Sequence, residues 1–176
     1  EEGKLIENQD YIIKPEGYDI PFNATRIHGI STKMAKEEGK DLAWVLEEFK
    51  KALEKTKVGV GHNIIFDYNI VGAEFFRKEL ENNLQEIPKA DTMELGTDFC
   101  ALPGGRGGKF KSPKLGELLE KLYGYQFDEA HNAAADVNAT AQIFFEMARK
   151  RIIPAEKMLW TEAQFQQFQK IWSEPI

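Results

Sequence analysis

Three features of the sequence predict an α/β layered fold. Strand-like and helix-like runs alternate in the second half of the chain. A short glycine-bearing β run, Lys57 to Gly61, passes directly into a helix opening at Asn63, and a long alanine-rich helix follows from Ala133. In open α/β sheets ligand sites lie where strands hand over to helices, so functional residues are expected at helix beginnings. The chain has 176 residues and 20.1 kDa, with 42% hydrophobic and 30% charged residues. That suits one domain with a full-sized core.

Lys4 to Lys14 reads as a strand ending in Tyr11-Ile12-Ile13, because the following Lys14-Pro15 closes a β run. Pro21 to Thr32 holds turn residues and the stretch Arg26-Ile27-His28-Gly29-Ile30-Ser31, an irregular connection. The apolar spacing from Asp41 to about Lys55 is helical. Lys57 to Gly61 suits a buried strand, its alternate glycines allowing another backbone close. Asn63 is placed to cap a helix reaching Leu80. Ala90-Asp91-Thr92-Met93 fits either a short strand or the opening of a helix. Pro103-Gly104-Gly105-Arg106-Gly107-Gly108-Lys109 can hold no regular element and is expected to be a mobile loop before a helix from Lys114 to Tyr123. Asn132 then caps the clearest helix, Ala133 to Met147, with an apolar stripe through Val137, Ala141, Phe144 and Ala148. Arg149-Lys150-Arg151 complement its C-terminal dipole before Pro154. Thr161 and Gln164, in capping-box spacing, open a last helix with Phe165, Phe168 and Trp172 on one face. No internal repeat or linker divides the chain.

Lys and Arg total 23 against 29 Asp and Glu, a net charge of −6. This is too acidic for a protein that wraps nucleic acid with its whole surface, so any such contact must be local. Cys100 is the only cysteine, which excludes a disulfide framework and a CxxC metal knuckle and leads to an expected cytoplasmic location. No apolar run approaches the roughly 18–20 residues of a membrane helix, and Glu1-Glu2-Gly3-Lys4 is unlike a signal peptide. A soluble protein without membrane partners is expected.

His62-Asn63-Ile64-Ile65-Phe66-Asp67 and His131-Asn132-Ala133-Ala134-Ala135-Asp136 share the spacing His-Asn-x-x-x-Asp and use two of the three histidines. Within a continuous helix five residues turn through about 500°, so each histidine and its aspartate would point roughly 140° apart. They converge only if the histidine sits on the incoming loop, which an Asn N-cap allows. Each aspartate could simply complement a helix dipole, worth about 0.3–1 kcal/mol. Against this, Asp136 adjoins Val137 and the alanines, and Asp67 lies between Phe66 and Tyr68; there a carboxylate without a cation or donors is costly. A shared divalent cation offsets the cost. Oxygen ligands on a hard cation point to Mg²⁺ or Mn²⁺, which support phosphodiester hydrolysis, with His131 as candidate general base. His28 and His62 read as ordinary polar residues at element ends. Zinc is disfavoured by the absence of an HExxH pair and by the lone cysteine.

The glycine-rich loop fails as a phosphate cradle. A Walker loop ending at Gly108-Lys109 needs glycine where Pro103 stands and Ser or Thr where Phe110 stands, and Phe110 also breaks GxGxxG. A basic segment is left, Arg106, Lys109, Lys111 and Lys114, able to touch a phosphate backbone or simply to be solvated. There is no GxSxG elbow and no cysteine nucleophile signature. Covalent catalysis has no support.

On these residues the chain resembles the DnaQ-like, or DEDDh, 3′–5′ exonucleases, the family of the proofreading exonuclease subunit of bacterial DNA polymerase III. Gly61-His62-Asn63-Ile64-Ile65-Phe66-Asp67 looks like the family's second motif, and Ala130-His131-Asn132-Ala133-Ala134-Ala135-Asp136 like its third, in the form carrying histidine. Arg26-Ile27-His28-Gly29-Ile30-Ser31 and Ala90-Asp91-Thr92 look like further landmarks. The resemblance implies an RNase H-like mixed sheet flanked by helices. It also implies two divalent metals, Mg²⁺ or Mn²⁺, Asp67 and Asp136 as acidic site members, and His131 as the base that deprotonates the attacking water. Asn63, Phe66, Lys109 and Lys111 are the candidate substrate contacts. The expected substrate is the 3′ end of single-stranded or frayed DNA, with a DNA polymerase as a further partner. An exoribonuclease, or a nucleic-acid or partner-binding module without catalysis, is the alternative. The exonuclease domain is expected over residues 1–153, with 154–176 as a helical extension packing on it. The family's first motif, Asp-x-Glu on the first strand, has no counterpart before Tyr11-Ile12-Ile13, so an upstream segment bearing it is expected.

Overall fold

The computed structural model describes residues 5–124 and 133–153, with 161–163, 166 and 170 beyond them. The predicted helix from Thr161 and the packing of the 154–176 extension fall largely outside these residues.

Among the described residues the sheet is a parallel pair. It is reached through three helices, α1 (Phe22–His28), α2 (Thr32–Glu38) and α3 (Leu42–Leu53). Strand β1 (Gly59–Gly61) leads into α4 (Ile64–Arg77), and β2 (Lys89–Asp91) into α5 (Thr92–Cys100). The strands pair in register, Gly59 with Lys89, Val60 with Ala90 and Gly61 with Asp91. Helices α6 (Leu115–Tyr123) and α7 (Ala133–Arg149) complete the described fold.

Helical periodicity places Leu42, Leu46 and Leu53 of α3 on one buried face and Ile64, Tyr68 and Phe75 of α4 on another; with Leu84 and Ile87 they form one core. A second core joins Ala90 of β2 to α5, α6 and α7, around Leu118, Leu119, Ile143 and Met147. The alternate glycines of β1 do admit a close neighbour, but it is side chain rather than backbone. A Cβ at Gly59 would collide with the hydroxyl of Tyr68, and one at Gly61 would lie 2.8 Å from the Ile64 Cβ. Tyr68 in turn lies under the Lys89 ammonium, 4.6 Å from the ring centre, so α4 is pinned across both strands.

Several expected elements differ in the structure. Lys4 to Lys14 is not a strand in its described part. Its β character is a single bridge, in which Lys40 N donates to Ile12 O (2.7 Å) and Lys14 N to Lys40 O (2.9 Å). Lys40 lies in the short gap between α2 and α3, too short to extend the pairing. Tyr11 instead packs edge-on against Trp44 of α3, 5.3 Å between ring centres. The connection Pro21 to Thr32 holds α1 and the start of α2, closed and opened by short-range devices: Gly29 ends α1 at φ 78°, and the Ser31 hydroxyl caps α2 through Met34 N. Ala90 to Met93 is both expected alternatives in succession, the end of β2 and the start of α5. The glycine-rich loop contains one 3-10 turn, Arg106–Gly108, with Gly104, Gly107 and Gly108 at positive φ.

The α7 stripe is rotated from its expected position. Phe144 and Ala148 are buried, but Val137 is 61% exposed and Ala141 is also exposed; the buried face runs through Ala139, Ile143, Glu146 and Met147. A hydrophobic pattern could not include Glu146, whose burial depends on its partners. Its carboxylate accepts from Arg149 Nε (2.7 Å) and Nη2 (2.5 Å), and Lys150 Nζ lies 3.5 Å away. Burial pushes the Glu146 pKa up, but the hydrogen bonds and charge of Arg149 and Lys150 outweigh it and hold the pKa below 4.5. A lowered carboxylate pKa contributes stability that is present above the unfolded-state value and lost as pH falls through the folded-state value. Glu146→Gln should therefore lower the melting temperature near neutral pH and converge on the parent in acid. The expected loss is about 1–3 kcal/mol, the scale of charged hydrogen bonds. Denaturant melts at both pH values check it.

Candidate active site

Both strand ends hand over to helices within one hydrogen-bonded junction. Asp91, the last residue of β2, is 7% exposed, and its carboxylate accepts three backbone N–H groups. Oδ1 accepts from Asn63 N (2.9 Å) and Met93 N (2.9 Å), and Oδ2 from Ile64 N (3.1 Å). Asn63 occupies the cap position of α4 as expected. However, its backbone is left-handed (φ 66°, ψ 44°) and its side chain makes no cap bond. The acceptor for the opening of α4 comes from Asp91 across the sheet. The sequence carried a signal for this residue: Asp91-Thr92-Met93-Glu94 has capping-box spacing.

His62 has a structural role at the same junction. Its Nε2 faces Pro113 O at 3.0 Å, which can only accept, so the neutral ring donates from Nε2. Nδ1 is then left to accept from Thr92 Oγ1 at 3.0 Å, and that hydroxyl also lies 3.1 Å from Gly61 O. Burial lowers the His62 pKa below 6.5, against the opposing pull of Pro113 O and Asp91. His28 is likewise accounted for locally, its Nδ1 accepting from Ile30 N at 3.1 Å.

Asp67 and Asp136 each occupy the first turn of a helix, α4 and α7, and each is the fourth residue of its helix as described. Among the described residues no Lys or Arg pairs with either carboxylate. Asp67 is exposed and Asp136 half-buried, so neither carboxylate sits in the apolar setting its sequence neighbours suggested. Partial desolvation, then the like charge of Asp91, still pushes the Asp67 pKa above 3.8, against the hydrogen bond from its own backbone. A raised carboxylate pKa contributes stability that is complete below the unfolded-state value and lost as pH rises through the folded-state value. Asp67→Asn, neutral throughout, should therefore melt no lower than the parent at pH 7 and lose any advantage below pH 3.8. Paired thermal melts test this, and a marked loss at pH 7 would show that the carboxylate supports the fold.

The hard oxygen donors of Asp67 and Asp136 fit Mg²⁺ or Mn²⁺, with water, substrate phosphate and further ligands left to fill the remaining octahedral positions. Among the described residues no group of three His, Cys, Asp or Glu side chains gathers as a metal set. His131 and Asn132 lie outside the described residues. Of the candidate substrate contacts, Asn63 and Phe66 are exposed at the opening of α4, Phe66 by 61%. Lys109 is exposed in the glycine-rich loop. Lys111 is engaged: its ammonium lies 2.8 and 3.2 Å from the two Glu117 oxygens, and Glu117 also accepts from Lys114 N at 2.7 Å. Lys111 thus helps fasten the start of α6, and its charge is already matched.

The layering of this chain has a counterpart among solved structures. The crystal structure of E. coli Exonuclease I in complex with a dA16 oligonucleotide superposes with a TM-score of 0.68 at 19% identity, over 95% of this chain and 36% of that one. Residues 2–144 match the family model for exonucleases (RNase_T), and the chain belongs to that family. The DnaQ-like resemblance and the RNase H-like α/β fold are borne out. The chain is also 29% identical over 143 residues to the DNA polymerase III PolC-type protein of Mycoplasmopsis pulmonis (strain UAB CTIP), covering 81% of this chain and 9% of that protein. It spans a small part of both relatives. No helix among the described residues is long and apolar enough to cross a membrane.

Proposed function

We propose that this domain hydrolyses phosphodiester bonds at the 3′ end of DNA, releasing nucleoside 5′-monophosphates. The observation that carries the reading is the pair of first-turn carboxylates, Asp67 and Asp136, set in matching His-Asn-x-x-x-Asp segments of an exonuclease-family chain. Asp67 and Asp136 would hold the Mg²⁺ or Mn²⁺ ions. When bound, such ions activate water and stabilise the leaving oxygen in a two-metal phosphodiester hydrolysis. His131 takes the proton of the attacking water. Asn63 and Phe66, exposed beside Asp67, contact the terminal nucleotide, and Lys109 supplies a phosphate contact. DNA as substrate is supported by the oligonucleotide in the E. coli Exonuclease I complex, and polymerase association by the PolC-type relative.

Additional oxygen ligands are expected on an Asp-x-Glu strand. Among the described residues β1 and β2 are each paired on one side only, so either outer edge is open to pairing with such a strand. The test is a labelled single strand incubated with the natural full-length protein and Mg²⁺ or Mn²⁺. Stepwise shortening from the 3′ end to 5′-monophosphates, abolished by EDTA, is the expected result. Internal cleavage, or activity that survives EDTA, would refute the reading. Binding without cleavage would replace the enzyme with a nucleic-acid-binding module, and an RNA strand in parallel separates an exoribonuclease.

A further inference from the structure

We propose that Asp91 is a positioning residue for Asp67: one buried carboxylate caps two helices at once and thereby fixes where α4 and its first-turn acid begin. The inference rests on the reading of Asp67 as a cation ligand. We read Asp91 as a cap rather than a ligand: it is buried, and three of its about four lone-pair sites accept backbone N–H groups, Oδ1 from Asn63 N and Met93 N and Oδ2 from Ile64 N. The bond to Met93 N is an ordinary N-cap of its own helix, α5. The bonds to Asn63 N and Ile64 N cross to the neighbouring strand's helix, at a point where local sequence gives no support.

Asn63 holds a left-handed backbone, which Asn tolerates better than other residues with a Cβ but still adopts less readily than a right-handed or extended one, and its side chain does not cap α4. Without an external acceptor, the first N–H groups of α4 lose their partner and Asn63 is free to relax toward a commoner backbone region. Either change redirects the chain three to four residues before Asp67, within a single helical turn of it. The neighbouring contacts act in the same direction. The single Thr92 hydroxyl proton lies between two acceptors, Gly61 O at 3.1 Å and His62 Nδ1 at 3.0 Å, and His62 also reaches Pro113 O. Residues 61–64 are therefore tied one after another to residues 91–92. Of these ties only Asp91 reaches the N–H groups that open α4.

Asp91→Ser in the natural full-length protein separates the two caps. Serine is as good an N-cap as aspartate, so the hydroxyl keeps α5, but it is too short to bond Asn63 N and Ile64 N together. Amide exchange should stay slow at the start of α5 and quicken at Asn63 and Ile64 by about tenfold or more, the equivalent of one lost charged hydrogen bond. Turnover should fall roughly 10–100-fold, as small misplacements of reacting groups do, with KM for the oligonucleotide little changed. Asp91→Ala, losing both caps, should also free the start of α5. Parent-like protection at Asn63 and Ile64 in Asp91→Ser would overturn the proposal, leaving Asp91 as a cap of α5 alone. Faster exchange there with unchanged kcat would overturn it as well. If the parent has no metal-dependent activity, the functional reading fails, and the exchange at Asn63 and Ile64 by itself decides whether Asp91 holds the start of α4.

Discussion

Replacing His131 with alanine is expected to cut turnover about 10²–10⁴-fold, the range for loss of a general base, while leaving the melting temperature close to that of the parent. His62→Ala should show the opposite pattern. The two histidines precede identical Asn-x-x-x-Asp spacings, but His62 is committed to Thr92 and Pro113 O on both ring nitrogens and has no free nitrogen to offer a water. Its removal leaves Pro113 O without the ring N–H, while Thr92 Oγ1 keeps Gly61 O, a cost of about 1–3 kcal/mol in stability. The His62 contribution should also depend on pH. A histidine held neutral stabilises the fold above its unfolded-state pKa, and that support is lost as pH falls through the lowered folded-state value. Steady-state kinetics and thermal melts on both variants decide the assignment. Equal kinetic damage from the two would show that His62 shares the chemistry.

Asp136→Asn is expected to remove nearly all activity, by more than about 10²-fold, the effect of deleting one group that supports transition-state charge. The amide keeps the shape of the carboxylate while removing the charge a hard cation needs. The fold should lose only the interaction of that charge with the α7 dipole, about 0.3–1 kcal/mol. The same measurement separates the bland alternative. If Asp136 were only a helix-dipole residue, the small stability loss would appear with rate and metal dependence intact.

The parts of the fold governed by local rules could be read in the sequence. Asp41 caps α3 through Trp44 N, and β1, α4, α6 and α7 lie close to where periodicity placed them. The parts governed by partners distant in sequence could not. Tyr11-Ile12-Ile13 has β-forming residues, but pairing needs a strand beside it, and among the described residues its one bridge is to Lys40. Asn63 has the right residue type for a cap, yet the capping oxygen belongs to Asp91, 28 residues away. Glu146 is excluded from a core by any hydrophobicity rule and enters it through Arg149 and Lys150. At the site, the two repeated motifs drew attention to both first-turn acids. What stayed hidden was Asp91, whose short strand-to-helix segment gave a capping signal without showing that a second helix shared the cap.

The proposed sharing of ions by the first-turn acids of α4 and α7 is tested most directly by a Mn²⁺ titration of the natural full-length protein with its Asp67→Asn, Asp136→Asn and doubly substituted forms. Ligands of a shared ion are coupled, so either single change should weaken binding severely and the second should add much less than it costs alone. Mn²⁺ affinity that is unchanged in both single variants, or that falls additively as for two independent sites, would contradict the account.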